Sequence, residues 1–541
     1  MKFSLSYNLR LLIFFFILIA VCCSPIWGVE YFLNQDGSGH IYSASLIIEI
    51  LKNNPFFTKY FAINLVPVPN SSGHWILVFL LQFFSPFVVT KIIVTITFAG
   101  FVAAVGWFRY QTVGREGLKT SLLIGAAMGF NWLWLLGFYN FVLSFIGLLF
   151  TLGLFFHWRE KMNLKRTVLL AILLVLVYFS HLIGFAILAG SIALLSLFVS
   201  SSKRKSTVIW TATAFVPTIP LIILYKFLSE EGGGFSPVWR SLTNPFSIQD
   251  WFLHLRAADP FILISRKTLP FFSFDSSTFA IFSPILWLIL AFTCLFLLTV
   301  NYYKKNSDYL KNYYPFIILF AISAFLVIFS PDDFQLSNGG LLRQRFLLCG
   351  LLFLIPLYRF DNSNILKRIA WFCLIFVIVF QTFALWDYSL EMDRDAHEFL
   401  SARQAIQPNE SLASVVLLKD SNIFYAQTLP QLDNYFGVGN NILIWDNYEL
   451  GYYLFPVITK SISDREFIYK LEQSHWFSQD KPESRYENDL SNLKSVLESE
   501  NNKIDIMLVW GSDPQVENVL SEWFESEPFF KNGNVRLFHH K

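Results

Sequence analysis

Residues 11–40 read LLIFFFILIAVCCSPIWGVEYFLNQDGSGH. Positions 11–28 carry no charge, and an apolar run of about 20 residues crosses a ~30 Å hydrocarbon core. Lys2 and Arg10 precede the run. No small-x-small cleavage site follows it, and Val21 before Cys22 argues against lipid attachment there, so the segment is expected to stay as a first span. Polarity then returns abruptly with Glu30, Asp36 and His40. This pattern, a span followed at once by ionisable side chains, sets the reading of everything downstream.

The remainder of the chain repeats the apolar pattern. Its 541 residues are 54% hydrophobic and 15% charged, with a mean hydropathy of +0.49. A soluble protein carries about 25% charged residues. Apolar runs at 11–28, 87–108, 119–137, 138–156, 167–180, 182–199, 207–228, 279–300, 314–330, 341–358 and 366–388 predict about eleven spans. The shorter run 74–85, cut off by Ser85-Pro86, predicts an interfacial or re-entrant helix. The expected fold class is therefore mainly α, a polytopic membrane helix bundle.

Charge placement orients the bundle. With the N-terminus in the cytoplasm, the connections on that side hold eighteen Lys and Arg, and the longer connections opposite hold six. Positive charge is retained on the cytoplasmic side. An odd number of spans then puts residues 389–541 outside. The net charge of +2 says nothing about nucleic acid, and no basic, aromatic-interleaved patch points to such a partner, so none is expected. The five cysteines show no zinc spacing and read as small apolar-run residues.

Two outer loops are long. In 29–73, Ala44, Ile47, Ile48 and Leu51 share one helical face, which predicts a helix over 41–52 lying along the membrane surface, before Pro55, Pro67 and Pro69 interrupt the chain. In 229–278, a flexible Glu230-Glu231-Gly232-Gly233-Gly234 precedes Trp239, Trp251, His254 and Arg256. Beyond 389 the composition turns polar. Strands are expected at 412–418, 441–445, 504–510 and 535–539, and helices at 392–406, 464–474, 486–500 and 514–525, which predicts a soluble extracytoplasmic α/β domain. Gly437-Val-Gly439 reads as a turn. The expected division is a transmembrane catalytic domain over 1–388 and an α/β domain over 389–541.

The residues able to do chemistry gather on the outer side. Asp36 and His40 stand four apart, on one face of a helix that begins near Asp36. Asp36 either caps that helix or acts as a general base on an acceptor hydroxyl, with Glu30 second. Asp36 and His40 also suit a divalent metal, but two ligands do not define a metal site. Gly137-Phe138-Tyr139-Asn140 predicts a very tight outer turn between two spans, either a plain helix-hairpin turn or one whose Tyr139 and Asn140 contact substrate. Ser180-His181 marks a second outer turn. Pro331-Asp332-Asp333 and Gly339-Gly340 lead into Arg343 and Arg345 at the mouth of a span. A charge there costs a few kcal/mol and needs a partner or a task. Either acids such as Asp332, Asp333 and Glu30 pair with the two arginines, or they clamp a phosphate. Arg240, Arg256, Arg266 and Lys267 are further candidates for the second role.

In this arrangement the chain resembles the glycosyltransferase C superfamily. Those multipass enzymes move a sugar from a polyprenyl-phosphate carrier to an acceptor on the outer face of the membrane. The resemblance rests on the first span, an acidic outer loop with Glu30, Asp36 and the helix 41–52, the bundle, the late large loop and the outer tail. It implies a polyprenyl-phosphate sugar lipid as donor, a glycan, lipid or protein as acceptor, and inversion at the transferred sugar, while the general style of the chain suggests a bacterial plasma membrane. It gives Asp36 the role of base. Arg343 and Arg345 match the carrier-phosphate residues by position only. The first loop lacks the Asp-x-Asp or Asp-Glu pair of several relatives, which leaves a divalent metal as an open cofactor. A transporter or flippase for lipid-linked glycans, a glycan polymerase or ligase, and a non-catalytic assembly protein are the alternatives.

Overall fold

The computed structural model describes residues 7–228, 237–238, 284–306, 310–331, 333–334, 340–359, 364–418, 426–474, 476–478 and 483–541. Arg240, Arg256, Arg266, Lys267, Asp332 and nearly all of loop 229–278 lie outside them. The chain is mainly α and divides into two units. The first comprises Met1–Pro25, Thr95–Trp134 and Tyr139–Leu385, the second Ile26–Val94, Leu135–Phe138 and Trp386–Lys541. This differs from a simple division at 388. Residues of the first outer loop cluster with the tail.

Among the described residues, five helices are long and apolar enough to cross a membrane: Tyr7–Trp27, Pro86–Val113, Tyr139–Lys161, Trp287–Lys304 and Ile365–Ala405. Ser201–Phe215 and Thr218–Phe227 add a sixth if the 43° bend between them is one broken span. Pro217 sits at that break, where it supplies no N–H and crowds the preceding turn.

The other apolar runs form shorter helices, Leu118–Gly129, Leu164–Ser180, Leu182–Leu197, Tyr314–Phe329 and Leu342–Phe353. The expected continuous run 119–137 is interrupted for a clear reason. Asn131 Nδ2 donates to Met128 O at 3.0 Å, and Asn131 Oδ1 accepts from Trp134 N at 3.0 Å, which closes one helix and opens the four-residue helix Trp132–Leu135. The break expected at Ser180-His181 is present. His181 has extended backbone, and its Nδ1 accepts from Ile183 N at 3.2 Å, capping the next helix.

The second unit contains a six-stranded mixed sheet. Strand Ser411–Leu418 pairs in parallel with Leu443–Ile444, Trp476–Ser478 and Ile506–Trp510. Val535–His539 then pairs antiparallel with Ile506–Trp510 and with Phe530–Asn532. Ile506–Trp510 is buried at every position, as a strand covered on both faces must be. Helices Ile462–Glu472 and Glu483–Glu500 make the crossovers that parallel pairing requires. A separate antiparallel pair, Phe61–Ile63 with Val457–Thr459, ties loop 29–73 to the tail.

That pairing changes the character of the helix after Asp36. It runs Gly37–Leu51, and every residue from Gly37 to Ile47 is buried. The expectation of a surface helix with one apolar face is corrected: Ile48 is half-buried and Leu51 is 58% exposed. Packing against tail segments covers its polar positions too. Tyr42 OH donates to Ile442 O at 3.4 Å and accepts from Ile444 N at 3.1 Å. A Cβ on Gly437 would stand 2.3 Å from the Tyr42 ring and 2.9 Å from Ile442 O, so only glycine admits the ring here.

Helix Ser72–Leu80 turns His74, Leu77 and Leu80 inward. Trp75, Phe79, Phe83 and Phe84 remain exposed on and just after it.

Candidate functional site

The second unit gathers four ionisable side chains from distant parts of the chain. Asp36 stands at the start of helix Gly37–Leu51 but makes no side-chain cap bond. Its backbone N donates instead to Leu136 O at 2.9 Å. The turn that offers this carbonyl depends on Gly137 at φ +86°, where a Cβ would lie 3.0 Å from Gly37 N and 3.2 Å from Asn34 Nδ2. The Asp36 carboxylate is engaged elsewhere. Its Oδ2 accepts from Tyr448 OH at 3.4 Å.

One turn further along the helix, His40 Nδ1 is hydrogen-bonded to Glu449 Oε1. His74 Nε2, from helix Ser72–Leu80, lies 3.0 Å from both Glu449 oxygens. The two imidazole rings meet edge to face with centroids 5.2 Å apart. All three side chains are buried.

Glu449 is held by the turn Tyr448–Gly451, in which Asn447 Oδ1 accepts from Glu449 N at 2.9 Å. Asn447 Nδ2 donates back to Gly39 O at 3.1 Å, which locks the turn against the helix. Ser38 Oγ donates to Gln431 O at 2.5 Å on the adjacent side.

Beside this cluster lies a pocket of about 200 Å3 lined by Gln35, Asp36, Gln427, Pro430, Gln431, Tyr448 and Glu472. None of these lining residues is cationic. Asp36, Gln35 and Tyr448 are half-buried, so the carboxylate reaches the pocket without being sealed from it.

The electrostatics separate the two carboxylates. Burial pushes the Asp36 carboxyl up to about 7, with the Glu449 charge adding to the push and His40, Gln35 and Tyr448 opposing it. Burial also acts to raise Glu449, but His74 and His40 outweigh it and hold that carboxyl below its ordinary value of 4.5. For His40, burial disfavours the charged ring, yet the Glu449 carboxylate wins and raises it above 6.5. Tyr448 is pushed well above 10 by burial and by the Asp36 and Glu449 charges, so it remains a donor. One acid stays ionised and the neighbouring one sits at the protonation midpoint near neutral pH. Paired acid and base roles are assigned by such a division.

Asp36 and His40 thus stand in one cluster, one helical turn apart. His74 and Glu449 complete it and were not singled out from the sequence. His74 sits in an otherwise apolar run, and Glu449 sits in Tyr448-Glu-Leu-Gly-Tyr-Tyr453, an acid among apolar residues. These are the only signals the sequence offers for them. Glu30 lies elsewhere, 63% exposed and 3.5 Å from His397 Nε2.

The remaining candidates belong to the first unit. Tyr139 and Asn140 are buried in the first turn of helix Tyr139–Trp158. Arg343 Nε donates to Val327 O at 2.8 Å. Arg345 Nη1 lies 3.0 Å from His181 Nε2, and its guanidinium stacks over Phe141 at 4.4 Å. The two arginines thus have protein acceptors and a ring as neighbours, while Glu30, one of the acids expected to pair with them, meets His397 instead.

Comparison with known protein families and with curated proteins returns no match for this chain.

Proposed function

We propose that this chain is a membrane glycosyltransferase that moves a sugar from a polyprenyl-phosphate carrier to an acceptor hydroxyl on the non-cytoplasmic face, with inversion. The observation that carries the reading is the Asp36 carboxylate, which makes no cap bond and faces a polar pocket whose described lining residues include no cation. That pocket is the acceptor subsite in this reading. Three glutamine amides, a phenol and two carboxylates present the mixed donors and acceptors that a neutral polyhydroxylated molecule needs. Its volume of about 200 Å3 falls below the ~300–1,000 Å3 of drug-sized sites, which suits one sugar unit.

In the transfer step Asp36 takes the proton of the acceptor hydroxyl. The acceptor oxygen forms a bond to the anomeric carbon as the bond from that carbon to the carrier phosphate breaks. The lipid phosphate leaves with the electron pair. A carboxyl near pH 7 is suited to this task, because a base works best when its pKa lies near the operating pH. Tyr448 keeps Asp36 oriented through its hydroxyl.

The membrane setting follows the eleven-span, cytoplasmic-N-terminus reading of the sequence, with the sheet-bearing tail as an extracytoplasmic α/β domain. The exposed Trp75, Phe79, Phe83 and Phe84 suit a helix lying in the interface, where aromatic rings concentrate.

The test is transfer of radiolabelled sugar from a native polyprenyl-phosphate sugar pool, comparing wild type with Asp36→Asn. Loss of about 10²–10⁴-fold with unchanged protein level is expected for removal of a general base. Transfer that survives the substitution rejects Asp36 as the base.

A further inference from the structure

We infer that His40, His74 and Glu449 form a binding site for one divalent transition-metal ion, with zinc the best fit. The inference rests on these ligands alone and does not depend on the glycosyltransferase reading. His40 Nδ1, His74 Nε2 and a Glu449 oxygen all lie within 4.8 Å of one another. They come from two helices and a turn that are far apart in the chain, so no local sequence effect brings all three together. All three are buried.

The donor set is selective. Two imidazole nitrogens and one carboxylate oxygen match the three-ligand sites in which zinc keeps an open fourth position. Magnesium and calcium prefer all-oxygen shells, and no thiolate is present to favour copper(I). In a tetrahedral site with bonds of about 2.0–2.1 Å, neighbouring ligand atoms stand about 3.3 Å apart. The His74 contacts to Glu449, at 3.0 Å, need only a few tenths of an ångström to reach that separation.

The surroundings supply the support that metal ligands require. Glu449 N donates to Asn447 Oδ1, and Asn447 Nδ2 in turn donates to Gly39 O, the residue before His40. Hydrogen bonds around a metal site hold its ligand-bearing segments in place. A closed hydrogen-bond network of two imidazoles and a carboxylate is the competing account of the same three residues.

The experiment uses the full-length chain in detergent, stripped with EDTA, loaded with zinc chloride and desalted. Bound zinc is then counted by inductively coupled plasma mass spectrometry in wild type, His74→Ala, Glu449→Gln and the control His397→Ala. About one ion per chain is expected for wild type and control, and background for the two ligand variants. Cobalt(II) loading of wild type provides a second readout that needs no variant. Visible bands of four-coordinate intensity, lost on adding zinc, are expected. Wild type that retains no zinc above background overturns the inference. So does equal retention by folded ligand variants, or a cobalt spectrum of the octahedral aquo ion.

Discussion

Two histidine environments in this chain have opposite partners. In the second unit, His40 and His74 face the Glu449 carboxylate. In the first, His181 faces the Arg345 guanidinium. A carboxylate only accepts, so the imidazoles beside it donate or share a cation. A guanidinium only donates, so His181 must accept through Nε2. Nδ1 of the same ring faces Ile183 N, and a neutral imidazole has one acceptor nitrogen, so these two interactions compete. The lesson is that burial alone does not assign a histidine. The charge of its partner decides whether its ring nitrogens face an acceptor or a donor.

The comparison predicts unequal costs of breaking each cluster. Glu449→Ala is expected to be the most damaging, about 3–5 kcal/mol, because it leaves two buried imidazoles without the charge they were packed around. Thermal unfolding at pH 7 measures this. The pH dependence sharpens it. Glu449 is held below its ordinary value of 4.5, so its stabilisation is present above that value and is lost as pH falls through the folded value. The acid-side loss of stability should be shallower in the variant than in wild type.

His181→Ala is expected to cost less, about 1–3 kcal/mol, because it removes the ring nitrogen beside buried Arg345 and the acceptor that caps Ile183 N. A cost equal to that of Glu449→Ala, in the same unfolding measurement, would erase the distinction between the clusters.

Asp36→Asn should have the smallest effect on stability, because the half-buried carboxyl borders the pocket and its bond from Tyr448 is long, at 3.4 Å. Its sign depends on pH. The folded carboxyl is raised from 3.8 to about 7, so wild-type stability falls as pH rises between those values. In chelator-treated protein the variant should therefore gain stability relative to wild type at pH 8 and not at pH 4. A uniform loss across pH would show instead that the carboxylate is a structural anchor.

The site was half legible in the sequence. Asp36 and His40 stand out because charge is scarce and they follow the first span directly. Asp36 as a helix cap was an equally good sequence reading, since the residue type and position fit it. In the structure the carboxylate makes no cap bond and accepts from Tyr448 instead. Glu30 has the same local credentials as Asp36 and pairs with His397 instead. Glu449 was hidden because it is 409 positions from His40 and 375 from His74, and nothing near it in sequence declares a partner. The helix after Asp36 misled in another way. Its apolar spacing suggested one buried face, yet strand Phe61–Ile63 and the tail cover it on several sides.

Order of residues alone determined the apolar helices, the charge bias between their ends, and strands such as 411–418, 506–510 and 535–539, because hydropathy and backbone propensity act over a few to about twenty neighbouring residues. Tertiary structure alone decided that Asp36 opens to a pocket, that His74 and Glu449 join His40, and that Arg345 meets His181. A buried charge must be neutralised or hydrogen-bonded. The group that does so is whichever one packing brings within about 3 Å, and packing joins elements that the sequence keeps far apart.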